Sequence, residues 1–232
     1  MTQPETKTEP ADEFGEPFDR AARRLGLAVT RDDLERLRRH YLLMVEVNRT
    51  LNLTRITDPA EAAVRHYADS LALIALAVTR RMKVASVLDL GTGAGFPAIP
   101  IAVVRPHWLI TAIDATRKKA EFVRTAASEL GLSNLTVEHA HADHWSDARQ
   151  FDLVTARSVA PLSKLLTTAA GVVARGGALV AFKTATLDPA EADAARATAA
   201  KLRLRADEPF LYELQAGSVK LGRALYVFSS AG

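Results

Sequence analysis

The stretch Val84–Pro100, VASVLDLGTGAGFPAIP, decides the fold of this chain. Its first seven residues, VASVLDL, are mostly apolar and include two valines, as in a parallel strand buried on both faces. Three glycines then fall within GTGAG, and glycine lets the backbone turn sharply and pass close to a ligand. Pro97 and Pro100 suit the opening of a helix, where the missing N–H has no partner in any case. The stretch therefore predicts a strand, a ligand-binding turn and a helix.

An acid after the next predicted strand indicates a nucleoside site. The apolar run Leu109–Ile113 ends at Asp114, 23 residues after Gly91. In nucleotide-binding α/β folds an acid at this place accepts hydrogen bonds from the ribose hydroxyls. The glycines fit neither the dinucleotide fingerprint, whose third glycine comes one residue later, nor the G-x-x-x-x-G-K phosphate loop. The pattern D-x-G-T-G-x-G instead resembles motif I of class I S-adenosylmethionine-dependent methyltransferases.

Composition excludes several other classes of protein. At 232 residues, 48% hydrophobic and 25% charged, the chain suits one soluble α/β domain with an appendage. The absence of cysteine excludes disulfides, thiolate metal sites and cysteine nucleophiles. No apolar run reaches the roughly 20 residues of a membrane span, and the first residues lack the hydrophobic core of a signal peptide. We therefore expect no membrane association and a cytoplasmic location.

Charge is distributed unevenly along the chain. The net charge is +3, but residues 1–17 contain five acids and one lysine, which leaves +7 on the remaining residues. A basic body favours a polyanionic partner. We expect a disordered acidic tail at 1–16, a helical lobe at 17–83 and the cofactor-binding core at 84–232.

Apolar periodicity predicts the elements of both parts. In the lobe, Thr30 and Asp58 are typical N-cap residues in front of helical patterns. Further strands are predicted in the core at 135–139, 151–156, 178–183, 209–214 and 221–229. Their alternation with helices indicates a doubly wound, mostly parallel sheet of seven strands that ends in an antiparallel pair. Such sheets bind ligands at the carboxyl ends of their strands, which is where the pattern places Gly91, Asp114, Asp143 and Arg157.

A family resemblance is more specific than the glycine turn. Residues 40–230 resemble the bacterial small-subunit ribosomal RNA guanine-N7 methyltransferases known as RsmG or glucose-inhibited division protein B. The motifs that carry it are Asn52-Leu53-Thr54, Arg65-His66 with Asp69-Ser70, Leu88–Pro97, Val104-Arg105-Pro106, Asp114 with Arg117-Lys118, Ala156-Arg157 and Lys183. Two positions depart from the family pattern, Ala98 in place of glycine and Asp143 in place of glutamate. Both changes are small and leave the expected activity in place.

The resemblance implies a class I, Rossmann-like methyltransferase with an N-terminal helical extension and S-adenosylmethionine as cofactor. It places cofactor contacts on Gly91, Gly93, Phe96, Asp114, Ala115, Thr116, Ala142, Asp143 and Arg157. It places RNA contacts on Asn52, Arg65, His66, Arg117 and Lys118. Arg157 and Lys183 are the expected catalytic residues, holding phosphate or the O6 and N7 of guanine, with an ion pair at the sheet edge as the alternative for each. The expected partner of this monomer is small-subunit (16S) ribosomal RNA or the assembled small subunit.

The absence of certain motifs and residue types limits the methylation reactions that this chain could catalyse. Guanine N7 has a lone pair and no proton, so methyl transfer to it requires in-line alignment but no general base. The segment 155–158 has no Asn/Asp-Pro-Pro-aromatic motif of amine methyltransferases, and carbon-5 attack on pyrimidines would require a cysteine. His139, His141 and His144 could be read as metal ligands, but a strand-end loop scatters them, so no metal is expected.

Three other functions share part of this pattern. A small-molecule methyltransferase would have the same core but typically lacks a basic helical lobe. An NAD-dependent dehydrogenase is disfavoured by the early position of Gly95. A catalytically silent RNA- or ribosome-binding module would retain only the fold. Binding of labelled S-adenosylmethionine and its transfer to RNA distinguish these alternatives.

Overall fold

The computed structural model describes residues 12–145, 149–157 and 160–231. Most of the predicted acidic tail, residues 1–11, lies outside the described residues. The α-helices are α1 Gly15–Arg24, α2 Arg31–Leu51, α3 Pro59–Ala62, α4 Asp69–Thr79, α5 Ala98–Val104, α6 Arg117–Glu129, α7 Leu162–Ala169 and α8 Pro189–Lys201. The strands are β1 Ser86–Leu90, β2 Leu109–Asp114, β3 Leu135–His139, β4 Phe151–Arg157, β5 Val173–Thr184, β6 Leu204–Ala206, β7 Phe210–Ala216 and β8 Val219–Ser230.

The strands form one sheet in the order β3-β2-β1-β4-β5-β8-β6, with β7 also paired to β8. Strands β1 to β5 are parallel, whereas β8 runs antiparallel to β5, β6 and β7. The predicted doubly wound, mostly parallel sheet is thus confirmed, but the described residues form eight strands rather than seven. The additional strand is β6, whose three residues are too few for a period-two pattern to be recognised.

The helices before β1 pack against one face of this sheet. Phe18, Leu37 and Tyr67 are fully buried and belong to the same hydrophobic cluster as Val87 and Val180 of the sheet. The N-caps predicted at the starts of these helices are present: the Thr30 hydroxyl accepts from the backbone N–H of Asp33, and the Asp58 carboxylate accepts from that of Glu61. The division into a lobe at 17–83 and a core at 84–232 stays a prediction.

Between α3 and α4 the chain makes a π-helical segment, Ala63–Ala68. Together these three elements form one continuous helical stretch, which carries Arg65, His66 and Asp69. Single π-helical turns occur often at functional sites. Among the described residues, no helix has both the length and the apolar character needed to cross a membrane.

The turn between β1 and α5 uses backbone conformations that favour glycine. Gly91, Gly93 and Gly95 have φ values of 73°, 61° and 95°. A Cβ added to Gly93 would meet nothing within 4 Å, whereas one added to Gly95 would lie 2.6 Å from Cδ1 of Ile99. Gly95 is therefore required both by its φ and by its close packing against the first turn of α5.

Replacing Gly95 with alanine is expected to destabilise the protein more than replacing Gly131. Both variants place a side chain in the left-handed region, at a cost of about 1–2 kcal/mol. Gly131 has a φ of 65° and open space at its Cβ position, so it is a matched control for the backbone alone. Displacing Ile99 should cost the Gly95→Ala variant a further 1–3 kcal/mol or so. Urea denaturation measures the difference, and equal losses would contradict the packing argument.

Candidate active site

Asp114 joins the glycine turn to the loop after β2. Its buried carboxylate accepts from the backbone N–H of Gly93 through Oδ2 and from that of Thr116 through Oδ1, both at 2.8 Å. A carboxylate has about four lone-pair sites, so these two bonds leave acceptor capacity for a ligand. The structure thus brings together three of the predicted cofactor residues at the carboxyl ends of β1 and β2.

A cavity of about 160 Å³ lies beside this turn. Four predicted cofactor residues line it, namely Gly91, Ala115, Ala142 and Asp143. The Asp143 carboxylate accepts from the Thr168 hydroxyl at 2.8 Å and lies 3.2 Å from the Lys164 ammonium. These two groups lower the pKa of Asp143 below its ordinary value. Asp143 is therefore an ionised hydrogen-bond acceptor on a mostly apolar wall.

Asp89, the first acid of the glycine motif, is fully buried at the same sheet edge. Neither of its carboxylate oxygens accepts a well-aligned hydrogen bond within the described part of the chain, although the Thr92 hydroxyl and the Ala98 N–H lie nearby. Burial raises the pKa of Asp89 to about 7, against the opposing influence of Thr92 and of the Ala98 N–H. A buried carboxylate whose hydrogen bonds are poorly formed, beside an open turn, is the kind of group that a cationic ligand satisfies.

Arg157, at the end of β4, is held against the π-helical segment. Its Nη2 lies 2.8 Å from Nδ1 of His66, and its Nη1 donates to the carbonyl of Arg65 at 3.1 Å. The guanidinium carbon lies 5.2 Å from the ring centroid of Phe96, within cation–π range. The predicted residues Arg65, His66, Phe96 and Arg157 therefore form one cluster, next to the cofactor turn.

Asp69 is a buried acid that contacts both Arg157 of this cluster and the β7–β8 pair. Its carboxylate is only 3% exposed and accepts from Tyr212 at 2.8 Å and from Arg223 at 3.0 and 3.1 Å. Arg157 also approaches it, at 3.4 Å. One buried acid thus neutralises part of the charge of two arginines and connects the helical segment, β4 and the β7–β8 pair.

His66 is buried in the neutral form. Its ring stacks on Phe96 with centroids 4.8 Å apart, and its Nε2 lies 2.7 Å from the Thr54 hydroxyl. Burial, followed by the Arg157 guanidinium, lowers the pKa of His66 to about 3. Burial likewise lowers the pKa of His40, which lies near Tyr67, to about 3. Neither imidazole is protonated at neutral pH.

Stability should therefore decline as the solution is acidified from pH 6 to 5. Below pH 6.5 the unfolded chain protonates His40 and His66 and the folded protein does not, so each lowers the free energy of unfolding by roughly 1.4 kcal/mol per pH unit. Asp89 offsets the effect of one histidine. Its raised pKa means that between pH 5 and 6 the folded carboxyl holds a proton that the unfolded carboxyl has lost, which stabilises the folded state on acidification. The expected net loss is roughly 1.4 kcal/mol over this pH unit, measured by urea denaturation. His66→Asn should remove the slope and the exposed His107→Asn should keep it; a slope retained in His66→Asn would contradict the neutral imidazole.

Lys183 lies apart from this cluster. Its ammonium is 2.8 Å from Glu191 of α8 and 3.2 Å from the carbonyl of Ala160. Lys183 therefore forms an ion pair, as in the predicted alternative to a catalytic role. The remaining predicted RNA contacts, Asn52, Arg117 and Lys118, are exposed, and Asn52 ends α2 in the left-handed conformation.

Several site residues were missed by the sequence analysis. Asp69 was quoted only as part of a motif, and Tyr212, Arg223 and Asp89 were given no role. Arg223 had a signal, since it lies on the same face of the strand as Leu221 and Leu225, where an arginine needs an acidic partner. Within the described ranges no three side chains of the metal-binding types are grouped, and this holds also around His139, His141 and His144.

Comparisons with known proteins indicate one family. The family model described as GidB, rRNA small subunit methyltransferase G, matches residues 33–208. Proteins named ribosomal RNA small subunit methyltransferase G are similar in sequence: that of Solibacter usitatus is 39% identical over 76% of this chain and 81% of its own length. That of Methylococcus capsulatus is 39% identical over 72% and 78%, and that of Streptococcus thermophilus 35% over 78% and 78%.

Solved structures of low sequence identity share the fold. The N-methyltransferase NodS from Bradyrhizobium japonicum superposes with a TM-score of 0.53 at 16% identity, over 70% of this chain and 94% of that one. The YcgJ protein from Bacillus subtilis gives 0.54 at 17%, over 70% and 98%. These likenesses confirm the class I methyltransferase fold. The family match and the named relatives confirm the resemblance first seen in the motifs, and the chain belongs to the GidB family of rRNA small subunit methyltransferases.

Proposed function

We propose that this protein transfers the methyl group of S-adenosylmethionine to N7 of a guanine in small-subunit (16S) ribosomal RNA. The observation that carries the proposal is the hydrogen bond from Gly93 to Asp114, which joins the glycine turn and the ribose-binding acid into one site. It occurs in a chain whose relatives are named for methylation of this RNA. The small-molecule alternative shares the turn but does not account for that family.

The residues at the turn fit S-adenosylmethionine. Asp114 retains acceptor capacity for the ribose hydroxyls, and Asp143 can accept from an adenine amino group at the cavity wall. The carboxylate of Asp89, which is buried without a well-aligned hydrogen bond in the described part of the chain, favours a cationic amino-acid tail. No phosphate is needed, which agrees with the absence of a phosphate loop. When bound, the cofactor supplies a methyl group activated by its sulfonium charge.

The protein's own residues would position the guanine rather than remove a proton. Arg157 lies over Phe96, next to the turn, and its guanidinium can donate to the O6 and N7 acceptors of guanine or to a phosphate. The imidazole of His66 stacks on Phe96, and both of its ring nitrogens are engaged, with Thr54 and with Arg157. A neutral, fully engaged imidazole supports a mechanism that depends on alignment and uses no general base.

Exposed polar side chains in and around this cluster are proposed to contact RNA. Arg65, Arg117, Lys118 and Asn52 are exposed, and a phosphate backbone attracts such side chains whatever its sequence. Lys183 is proposed to support the loop at Ala160 and to reach RNA only if its pair with Glu191 opens. We further propose that the protein acts in the cytoplasm as a monomer, on free RNA or on the assembled small subunit, and that it requires no metal.

The position and chemistry of the product test the proposal. N7-methylguanine carries a fixed positive charge and is cleaved by borohydride followed by aniline, so RNA from strains with and without the enzyme can be compared directly. We expect one enzyme-dependent cleavage in small-subunit RNA. Label on an exocyclic amine or a ribose would contradict the proposed reaction, and transfer only to small molecules would favour the alternative.

The rate of the chemical step should depend little on pH between 6 and 8. A histidine base would impose a break near its ordinary pKa of roughly 6.5, whereas N7 has no proton to lose. Single-turnover kinetics with preformed complexes isolates the chemical step from binding. A rise in rate of about threefold between pH 6 and pH 7, as a base with that pKa would give, would contradict the base-free mechanism.

A further inference from the structure

A second cavity is lined in part by the Arg157 cluster, through Arg65, His66 and Arg157. It encloses about 380 Å³ between the π-helical segment and the β7–β8 pair. Among the described residues that line it, four are cations, namely Arg65, Arg157, Lys220 and Arg223, and one is an acid, Asp69. His66 also lines the cavity and is neutral. The wall is therefore strongly cationic, and it adjoins the proposed transfer centre through Arg157.

We propose that this cavity binds a phosphodiester of the RNA next to the target guanosine, with Arg223 and Lys220 as its new ligands. The inference rests on the proposed function and extends it to the substrate. A base that is methylated has to leave its stack to reach the cofactor, and the displaced nucleotide needs a fixed backbone. A phosphate held beside Arg157 would supply that anchor.

Arg223 is prepared for this role by Asp69. The Asp69 carboxylate accepts hydrogen bonds from Nε and Nη2 of Arg223 at 3.0 and 3.1 Å, and this pair of bonds fixes the plane of the guanidinium. A guanidinium has five N–H donors, so three remain for an anion. Its planar fork matches phosphate oxygens. Tyr212 pairs with Arg223 between β7 and β8, and its hydroxyl donates to the same carboxylate. This second contact fixes the position of Asp69.

The outer cations are available because their own ion pairs are weak. Lys220 is 70% exposed and lies 3.7 Å from Glu213, and Arg65 pairs with Glu61 one helical turn away. Exposed pairs of this kind contribute little to stability, so a phosphate can displace them. Asp69 is different, since its carboxylate is buried and accepts hydrogen bonds from three residues, Arg157, Tyr212 and Arg223. It would remain the floor of the site when RNA binds.

The test compares Lys220→Gln, Arg223→Gln and Lys201→Gln. Lys201 is exposed at the end of α8, so its variant makes the same change of net charge outside the cavity. RNA affinity is measured against salt, KM is measured with small-subunit RNA or particles from a strain lacking the enzyme, and S-adenosylmethionine affinity is measured by calorimetry. Each cavity variant should weaken RNA binding roughly tenfold and reduce the salt slope by about 0.7–0.9. Lys201→Gln should leave both values unchanged, and cofactor affinity should stay within about twofold in all three.

The outcomes separate this inference from the proposed function. If the wild-type protein makes no N7-methylguanine, the proposed function fails. If the wild type is active but Lys220→Gln and Arg223→Gln keep its salt slope and KM, the cavity is no phosphate site. Loss of cofactor affinity in Arg223→Gln would assign Arg223 to the fold alone. Should that variant fail to fold, the exposed Lys220→Gln decides the question by itself.

Discussion

Replacing Arg157 with alanine is expected to lower kcat/KM for RNA methylation by about 100-fold or more, the loss typical of removing one positioned donor from an active site. The guanidinium joins the end of β4 to the carbonyl of Arg65, to the ring of His66 and to the face of Phe96. Its removal therefore deletes a donor for guanine or phosphate and releases the imidazole that packs on the turn. Asp69 keeps Arg223 and Tyr212, so the buried carboxylate does not become unpaired.

Arg157→Lys separates charge from geometry. Lysine keeps the positive charge but cannot reproduce a planar fork that contacts several acceptors, so this variant should recover only a small part of the activity. Both variants are assayed well below their unfolding temperatures, with S-adenosylmethionine affinity as a control for the turn. If Arg157 is only a structural tie at the sheet edge, activity will survive in the folded alanine variant with a modest loss of stability.

Local patterns predicted the parts of the site that depend on neighbouring residues. The glycine turn, the acid at the end of β2 and the capping box at Thr30 all follow from spacing within a few residues and from strand ends that meet at one edge. The family resemblance added the cluster of Arg65, His66 and Arg157. Contacts within one turn, or between adjacent parallel strands, are therefore readable from the sequence.

Long-range partners were not predicted, for a physical reason. Asp69 and Arg223 are 154 residues apart, and no periodicity states which cation a buried acid will meet. The partner of Lys183 was also missed, although Glu191 is only 8 residues further along the chain. Glu191 lies on a helix whose orientation relative to the sheet does not follow from the sequence pattern. Spacing fixes the face on which a side chain lies, but its partner is fixed by how the faces pack.

Replacing Asp114 with alanine is expected to weaken S-adenosylmethionine binding by about 10- to 150-fold. Charge-assisted hydrogen bonds of the kind proposed to the ribose are worth roughly 1.5–3 kcal/mol, and each 1.4 kcal/mol is a factor of about ten. A second effect adds to this loss, because the Gly93 and Thr116 N–H groups lose their acceptor and the turn loosens. Calorimetry measures the affinity, and urea denaturation without ligand measures the structural part.

Two further variants separate the ribose contact from the support of the turn. Asp114→Asn keeps the shape and one acceptor oxygen, so its affinity should fall between those of the wild type and the alanine variant. Asp207→Ala removes a carboxylate that holds Arg205 and Ser229, and should lower stability without changing cofactor affinity.

The stabilisation of each variant by bound cofactor provides an independent measure of the same affinity. A ligand that binds only the native state raises stability by RT ln(1 + [L]/Kd), so at one fixed concentration a tenfold weaker Kd removes up to about 1.4 kcal/mol of this gain. Asp114→Ala should therefore lose most of the cofactor-dependent rise in Tm, while Asp207→Ala keeps the full rise from a lower starting Tm. If Asp114→Ala binds the cofactor as the wild type does, the ribose is held elsewhere. Asp143, which shares the cavity with Gly91, would then be the acceptor to replace next, because it supplies the carboxylate among the described residues that line the cavity.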